Sequence, residues 1–242
     1  MVIPARGGSR SIPRKNLIPL LGIPLIAYSI DTARKLPFVE RIIVSTDDHE
    51  IESVSLRFGA EVVRRSSETS GDLSRDGDLL LELIENDGLI SDQDIILFLR
   101  PTHPIRNPEI IARAFHYYLS KLPHYDSLRS MKLNNEIVFK SWGIDATGMG
   151  MPAFNPELTS IADPCNAPRQ ILPKTYYQDG YVDICLVSVV RQHGNTCGDR
   201  VLPFIINDFS QDIDHFEDLE LINVFLNENA LPVWFSLPQP VL

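Results

Sequence analysis

The residues best equipped for chemistry stand at the front of the chain. Residues 1–16 read M-V-I-P-A-R-G-G-S-R-S-I-P-R-K-N, so Arg6, Arg10, Arg14 and Lys15 crowd around Gly7, Gly8 and Ser9. Backbone N–H groups of a Gly-Gly-Ser run can form an anion-binding concavity, because glycine lets a ligand approach the chain closely. Arg6, Arg10 and Lys15 would add charge, and a guanidinium is well shaped for bidentate contact with phosphate. The run is neither the G-x-G-x-x-G dinucleotide fingerprint nor the G-x-x-x-x-G-K phosphate loop. A solvated basic turn would use the same residue types, and position after an apolar strand weighs against it.

A second group lies far downstream, in D-I-D at Asp212 and Asp214. Two carboxylates separated by one residue can share a hard divalent cation such as Mg²⁺ or Mn²⁺. Asp214 and Glu217 also have capping-box spacing ahead of an apolar helix, and the two roles are compatible. Asp47 and Glu50 in T-D-D-H-E show the same spacing and read as a helix cap. The histidines form no H-E-x-x-H pattern, and His103 in R-P-T-H-P reads as polar packing. No nucleophile–base pair is legible, so a covalent intermediate has no support.

Charge and composition bound the partners. The chain of 242 residues has a net charge of -10, yet residues 1–30 contain no acid and the first is Asp31. General nucleic-acid binding requires the neutralising of many phosphates, so a local cationic cluster suits a small polyanion instead. No apolar run approaches the roughly 20 residues needed to cross a bilayer. The first residues lack a signal peptide's pattern, so cytoplasmic residence and no membrane partner are expected. The three cysteines (Cys165, Cys185 and Cys197) include no C-x-x-C pair and read as reduced thiols.

These groups need a scaffold, and the periodicity predicts one. Val2-Ile3, Arg41 to Ser45, Glu61 to Val63 and Asp94 to Leu99 read as buried strands. Helices are predicted from Leu25 to Leu36, after T-D-D, over Asp76 to Leu89, and after Asn107-Pro108-Glu109, which offers an N-cap and a proline at the first helical position. Apolar strands alternating with amphipathic helices predict βαβ units and a mainly parallel α/β sheet. The opening loop, T-D-D and R-P-T-H-P-I-R all follow strands and should therefore converge on one sheet edge. Residues 130–200 are irregular, as an insertion or dimerisation arm would be. Regular structure returns with Val201 to Ile206 and a helix from His215, whose apolar face is Leu219, Ile222 and Leu226.

The loop A-R-G-G-S-R-S-I-P-R-K-N strongly resembles the signature of the cytidylyltransferases that activate acidic 3-deoxy-ulosonic sugars, the acylneuraminate and nonulosonic acid family. The resemblance continues through V-S-T-D-D, R-P-T-H-P-I-R, R-Q-I-L-P-K-T-Y-Y-Q-D-G and D-I-D-H-F-E-D-L, covering residues 3–226 in order. It implies a Rossmann-like sheet of the nucleotide-diphospho-sugar transferase type, residues 1–242 forming a single domain. Within it, residues of about 130–200 would carry the sugar site and a dimerisation arm, and the protein would be a homodimer. It further implies transfer of CMP from CTP to the anomeric hydroxyl of an acidic nine-carbon sugar, releasing pyrophosphate with Mg²⁺ (or Mn²⁺). Arg6, Gly8, Ser9, Arg10, Lys15, Asn16 and Arg65 would hold the nucleotide, and Arg6 and Lys15 would also act in catalysis. Lys140, Arg169 and Gln170 would hold the sugar, and Asp212 and Asp214 the metal.

Departures from the family's pattern bear on specificity. Arg100 stands where relatives usually carry Gln near the nucleotide, and is expected to join the nucleotide-binding residues. Asp179 replaces a common Asn, and Asp183 stands where many sialic-acid enzymes have Tyr; both are expected by the sugar site. They favour a bacterial nonulosonic acid, of the legionaminic or pseudaminic type, over ordinary sialic acid. A metal-dependent glycosyltransferase could also use D-x-D, and a non-catalytic nucleotide-binding homologue is the other alternative. The triphosphate-type opening loop argues against the first, and turnover would exclude the second.

Overall fold

The computed structural model describes residues 1–9, 11–71, 74–86, 89–154, 159–228 and 234–241. Two compact units emerge, one of Met1–Ser130 with Asp179–Leu242 and one of Met131–Gln178.

The first unit is built on a seven-stranded sheet. Its strands are β1 (Val2–Pro4), β4 (Ile43–Thr46), β5 (Glu61–Arg64), β6 (Ile95–Phe98), β7 (Ser127–Leu133), β10 (Tyr176–Leu186) and β11 (Val201–Ile205), in the order β11-β7-β10-β6-β1-β4-β5. Strands β6, β1, β4 and β5 run parallel, and β10 joins β6 antiparallel. The short β2 (Pro19–Leu20) and β3 (Ile23–Pro24) form a separate hairpin after the opening loop.

Side-chain alternation sorts the strands into two faces. Ile3, Val44, Leu97, Leu99 and Ile184 pack with α1 (Leu25–Arg34), α2 (His49–Arg57) and α5 (Pro108–Lys121). Their sequence neighbours Val2, Ile43, Ile96, Phe98 and Cys185 pack with α4 (Asp76–Glu85) and α6 (Val187–His193). Successive residues of a strand point to opposite faces, so a sheet covered on both sides needs continuous apolar runs. Helix α3 (Ser67–Ser70) is a single turn after β5, and α7 (Phe216–Glu228) closes the regular structure.

The predicted convergence of the post-strand loops on one sheet edge holds. Strands β4 and β5 lie to one side of β1 and β6 to the other, so the chain reverses direction across the sheet between β1 and β6. Open α/β sheets bind ligands beyond the strand carboxyl ends at such a reversal. The Asn107 cap is also present: its side chain accepts from the Glu109 N–H at 2.9 Å, with Pro108 in the first turn.

Several local readings change. The cap of α2 is Asp48, whose Oδ1 accepts from the N–H groups of Glu50 and Ile51, whereas Asp47 accepts from the Gly7 N–H at 2.8 Å. Ahead of α7, the carboxylate accepting from the N–H groups of Asp214 and His215 belongs to Asp218 and not to Glu217. Within residues 130–200 the chain forms β10, eleven residues long, and α6. Spacing hides β10 because Asp179, Gly180 and Asp183 interrupt its apolar run; α6 is hidden because V-S-V-V is strand-like in composition.

The second unit has little core of its own. Strands β8 (Trp142–Ile144) and β9 (Gly150–Pro152) form an antiparallel hairpin. Phe139, which is buried, meets Phe154 edge-on with ring centroids 5.6 Å apart. Trp142, Ile144, Met149 and Met151 are exposed, Ile144 by 77%.

Candidate functional site

At the carboxyl edge of β1 and β6 lies a cleft of about 280 Å³. It is lined by Arg6 and Ser9 from the opening loop, Lys15 and Asn16 from the following 3-10 turn, Arg65 after β5, and Arg100 after β6. Six of the residues expected to hold a nucleotide therefore share one cavity. Arg75 completes the cationic wall from the start of α4, and Asp76 is the acid among the described lining residues. Arg75 has no spacing signal in the sequence, because only the packing of α4 brings it to the cleft.

The opening loop is shaped by internal bonds. A Cβ at Gly7 would lie 2.8 Å from Asp48 Cβ, so the close passage of these segments requires glycine there. Gly7 spends its N–H on Asp47, which narrows the expected anion concavity to the remainder of the loop. Gly8 is exposed, outside the cleft lining, with open space where a Cβ would stand. Arg10 lies outside the described residues. Asn16 donates from Nδ2 to the Arg6 carbonyl at 2.9 Å, and Arg6 donates to the Gly71 carbonyl at 3.2 Å. Arg14 turns away to Asp48 and Glu50 at the surface.

Lys15 connects this loop to D-I-D. Only 5% exposed, it donates from Nζ to the Ile213 carbonyl at 2.6 Å and to Asp214 Oδ1 at 3.1 Å. The Ile213 N–H donates to the Thr102 carbonyl at 2.8 Å, tying the motif to the loop after β6 as well. An apolar cluster seals the junction. Ile12 of the opening loop and Ile213 of D-I-D, both fully buried, pack with Leu25, Tyr28, Ile105 and Ile222. The two charged segments are therefore positioned by the isoleucines inside them.

Asp212 is half-buried and Asp214 is exposed. Among the described residues, no three His, Cys, Asp or Glu side chains gather as a protein-only metal site. Two carboxylates fit a small divalent cation that completes its shell with phosphate oxygens and water, as Mg²⁺ commonly does.

The arginines of the edge are tuned by different forces. Burial lowers the Arg65 pKa, against the pull of Asp47, Asp76 and Glu82. Burial also works against charge on Arg100, but Asp76 and Asp183 more than offset it and its pKa is raised. Arg106 is buried, and desolvation lowers its pKa to about 10. It donates to the Tyr181 carbonyl at 2.7 Å, the Arg100 carbonyl at 2.8 Å and the His103 carbonyl, bracing the loop after β6 against β10.

Two expected sugar-side residues are placed differently. Asp183 is fully buried in β10, outside the cleft lining, and pairs with Arg100 and Arg129, each at 3.3 Å. Asp179 is also buried; it accepts from Ser210 Oγ at 2.8 Å, and Ser210 Oγ lies 2.7 Å from His103 Nε2. His103 thus has the packing role read from sequence. In the second unit, Arg169 and Gln170 line a pocket of about 350 Å³ with Asn134, Glu136 and Lys174. Lys140 is exposed and is not in that lining.

Comparison with known proteins places the chain in a family. Residues 1–142 match the cytidylyltransferase family. A CMP-N,N'-diacetyllegionaminic acid synthase of Legionella pneumophila is 32% identical over 222 residues, 88% of each chain. A pseudaminic acid cytidylyltransferase of Campylobacter jejuni is 35% identical over 122 residues, 49% of this chain and 52% of the relative. That match thus spans about half the length of the Campylobacter protein. A solved CMP:2-keto-3-deoxy-manno-octonic acid synthetase complexed with CTP shares the fold, with a TM-score of 0.67 at 18% identity over 94% of this chain and 97% of that one.

Proposed function

Because the chain belongs to the cytidylyltransferase family, we propose that it transfers CMP from CTP to the anomeric hydroxyl of an acidic nonulosonic sugar. The observation that carries this reading is the convergence of Arg6, Ser9, Lys15, Asn16, Arg65 and Arg100 on one cleft at the sheet reversal. A legionaminic or pseudaminic type of sugar is supported by the relatives with those names, one of them matched along 88% of its length.

The reaction is an in-line displacement. The sugar hydroxyl oxygen forms a bond to the α-phosphorus, the bond from that phosphorus to the bridging oxygen breaks, and pyrophosphate departs as the hydroxyl proton is lost. Positioning and charge stabilisation dominate such transfers. Arg6, Arg65 and Arg100 offset charge on the triphosphate and the leaving pyrophosphate. Ser9 and Asn16 orient the nucleotide, joined by Arg10 and the Gly8 backbone of the opening loop. Lys15, anchored on Ile213, holds the phosphate-binding loop against Asp212 and Asp214. Those carboxylates would hold Mg²⁺ or Mn²⁺, which polarises phosphate oxygens and favours the deprotonated nucleophile when bound. Each well-placed donor is worth about 3 kcal/mol of barrier.

Lys140, Arg169 and Gln170 recognise the sugar in this reading, within an insertion into a single cytidylyltransferase domain. Trp142 and Ile144, two residues apart on the β8 side of the β8–β9 hairpin and both exposed, support pairing of two copies, since exposed apolar surface marks association sites. The direct test is pyrophosphate release from CTP and Mg²⁺ with a panel of sialic, legionaminic and pseudaminic acids. Release with at least one acid is expected; CTP binding without release on any of them would reduce the protein to a nucleotide-binding homologue.

A further inference from the structure

The ion-pair chain behind the cleft has a task that the sequence does not reveal. Strand β10 lies antiparallel to β6 with Asp183 directly opposite Phe98. Arg100 is two residues beyond Phe98, and its guanidinium carbon sits 5.1 Å from the Phe98 ring centroid. Residues two apart in extended chain share a face, so Asp183 and Arg100 are diagonal neighbours. Asp183 Oδ2 accepts from Arg100 Nη1 at 3.3 Å and from Thr196 Oγ1 at 3.3 Å. Its Oδ1 faces Arg129 Nε at 3.3 Å. Arg100 also donates from Nη2 to Asp76 at the cleft, at 2.8 Å.

Asp183 is fully buried, while the Arg100 side chain keeps 24% of its surface exposed. The carboxylate therefore cannot itself meet a ligand in the cleft, but it can fix the cation that does. A long guanidinium side chain has many rotamers, and a buried partner restricts them before a ligand arrives. Arg129 balances the buried charge from the opposite side, as a buried carboxylate requires.

We infer that Asp183 is a positioning residue for the nucleotide: it pins Arg100 in the cleft so that the guanidinium meets the polyphosphate already oriented. This rests on the reading of the cleft as the triphosphate site. It moves Asp183 from the sugar to the nucleotide side of the reaction and makes Arg100 and Asp183 one unit.

Calorimetric titration with CTP and with inorganic tripolyphosphate tests the inference on the whole chain. Arg100→Gln and Asp183→Asn should each weaken both probes about tenfold, the scale of one charge-assisted hydrogen bond. The double variant should bind no more weakly than either single one, because coupled residues are not additive. Where Asp183→Asn fails to fold, Arg129→Gln combined with Asp183→Asn removes the buried charges together and carries the same expectation. A purely structural Asp183 would lower the melting temperature and leave the affinity of the folded protein unchanged; that result overturns the inference. So do losses that multiply in the double variant. Wild-type protein that binds neither probe would overturn the nucleotide reading itself, whereas wild-type binding with unaltered Asp183→Asn affinity overturns only the positioning role.

Discussion

The opening loop and the β8–β9 hairpin are opposite solutions to holding a functional segment in place. The loop is short of regular structure but deeply anchored: Ile12 is fully buried, Lys15 nearly so, and Asn16 ties back to Arg6. The hairpin has regular pairing yet presents Trp142, Ile144 and Met151 outward. The contrast shows that backbone order and side-chain burial are separate requirements. A site that handles charge at fixed geometry needs the second, because each cation must be oriented before the polyanion arrives. The surface proposed to pair two copies would need only the first.

The largest effect expected from breaking this contrast comes at D-I-D. Asp214→Asn should lower Mg²⁺-dependent pyrophosphate release by about 100-fold or more, with a melting temperature within a few degrees of wild type. Full activity would remove Asp214 from the metal site. Next comes the apolar anchor: Ile12→Ala should destabilise the protein by about 3 kcal/mol, as measured by denaturant unfolding. A loss under 1 kcal/mol would mean the loop is not held by its core. On the other side, Ile144→Asp should turn the proposed dimer into a monomer in light scattering while CTP affinity stays within about twofold; a wild type that already scatters as a monomer would remove the pairing role. A smaller effect is expected from thiol labelling at pH 8. Burial, reinforced by Asp183, pushes the Cys185 pKa up to about 12, so its reactive thiolate is scarce. Partly exposed Cys165 and Cys197 should react with a thiol reagent, and Cys185 only after unfolding. The smallest is Arg14→Ala. Its partners Asp48 and Glu50 are at the surface, where an ion pair contributes about 0.5 kcal/mol, so CTP binding should not change.

Legibility in the sequence followed the same division. Strands β1, β4 and β6 are readable because both of their faces are covered and the runs are continuously apolar. The loops after β1 and β6, with the one after β5, then bring Arg6, Arg100 and Arg65 to one edge. Strand β10 is not readable, since its acids find their partners far away in sequence: Arg100 and Arg129 pair with Asp183, and Ser210 donates a hydrogen bond to Asp179. Arg75 escapes notice for the same reason, being brought to the cleft by tertiary packing alone. Capping-box spacing points to Asp47 and Glu217, whereas the adjacent acids Asp48 and Asp218 accept the N–H groups at the two helix starts. Chemistry carried by neighbours in sequence is written in the residue order; chemistry carried by partners across the sheet exists only in the folded chain.

The middle residue of D-I-D has a consequence for how mutational data on this chain would look. Ile213 holds Lys15 through its carbonyl, the loop after β6 through its N–H, and the apolar cluster through its side chain. A screen that scores only product formation would rank Ile213 with the two acids that flank it, and would mistake a keystone for a reagent. Melting curves would tell them apart: the acids should fail hot and folded, the isoleucine by coming loose.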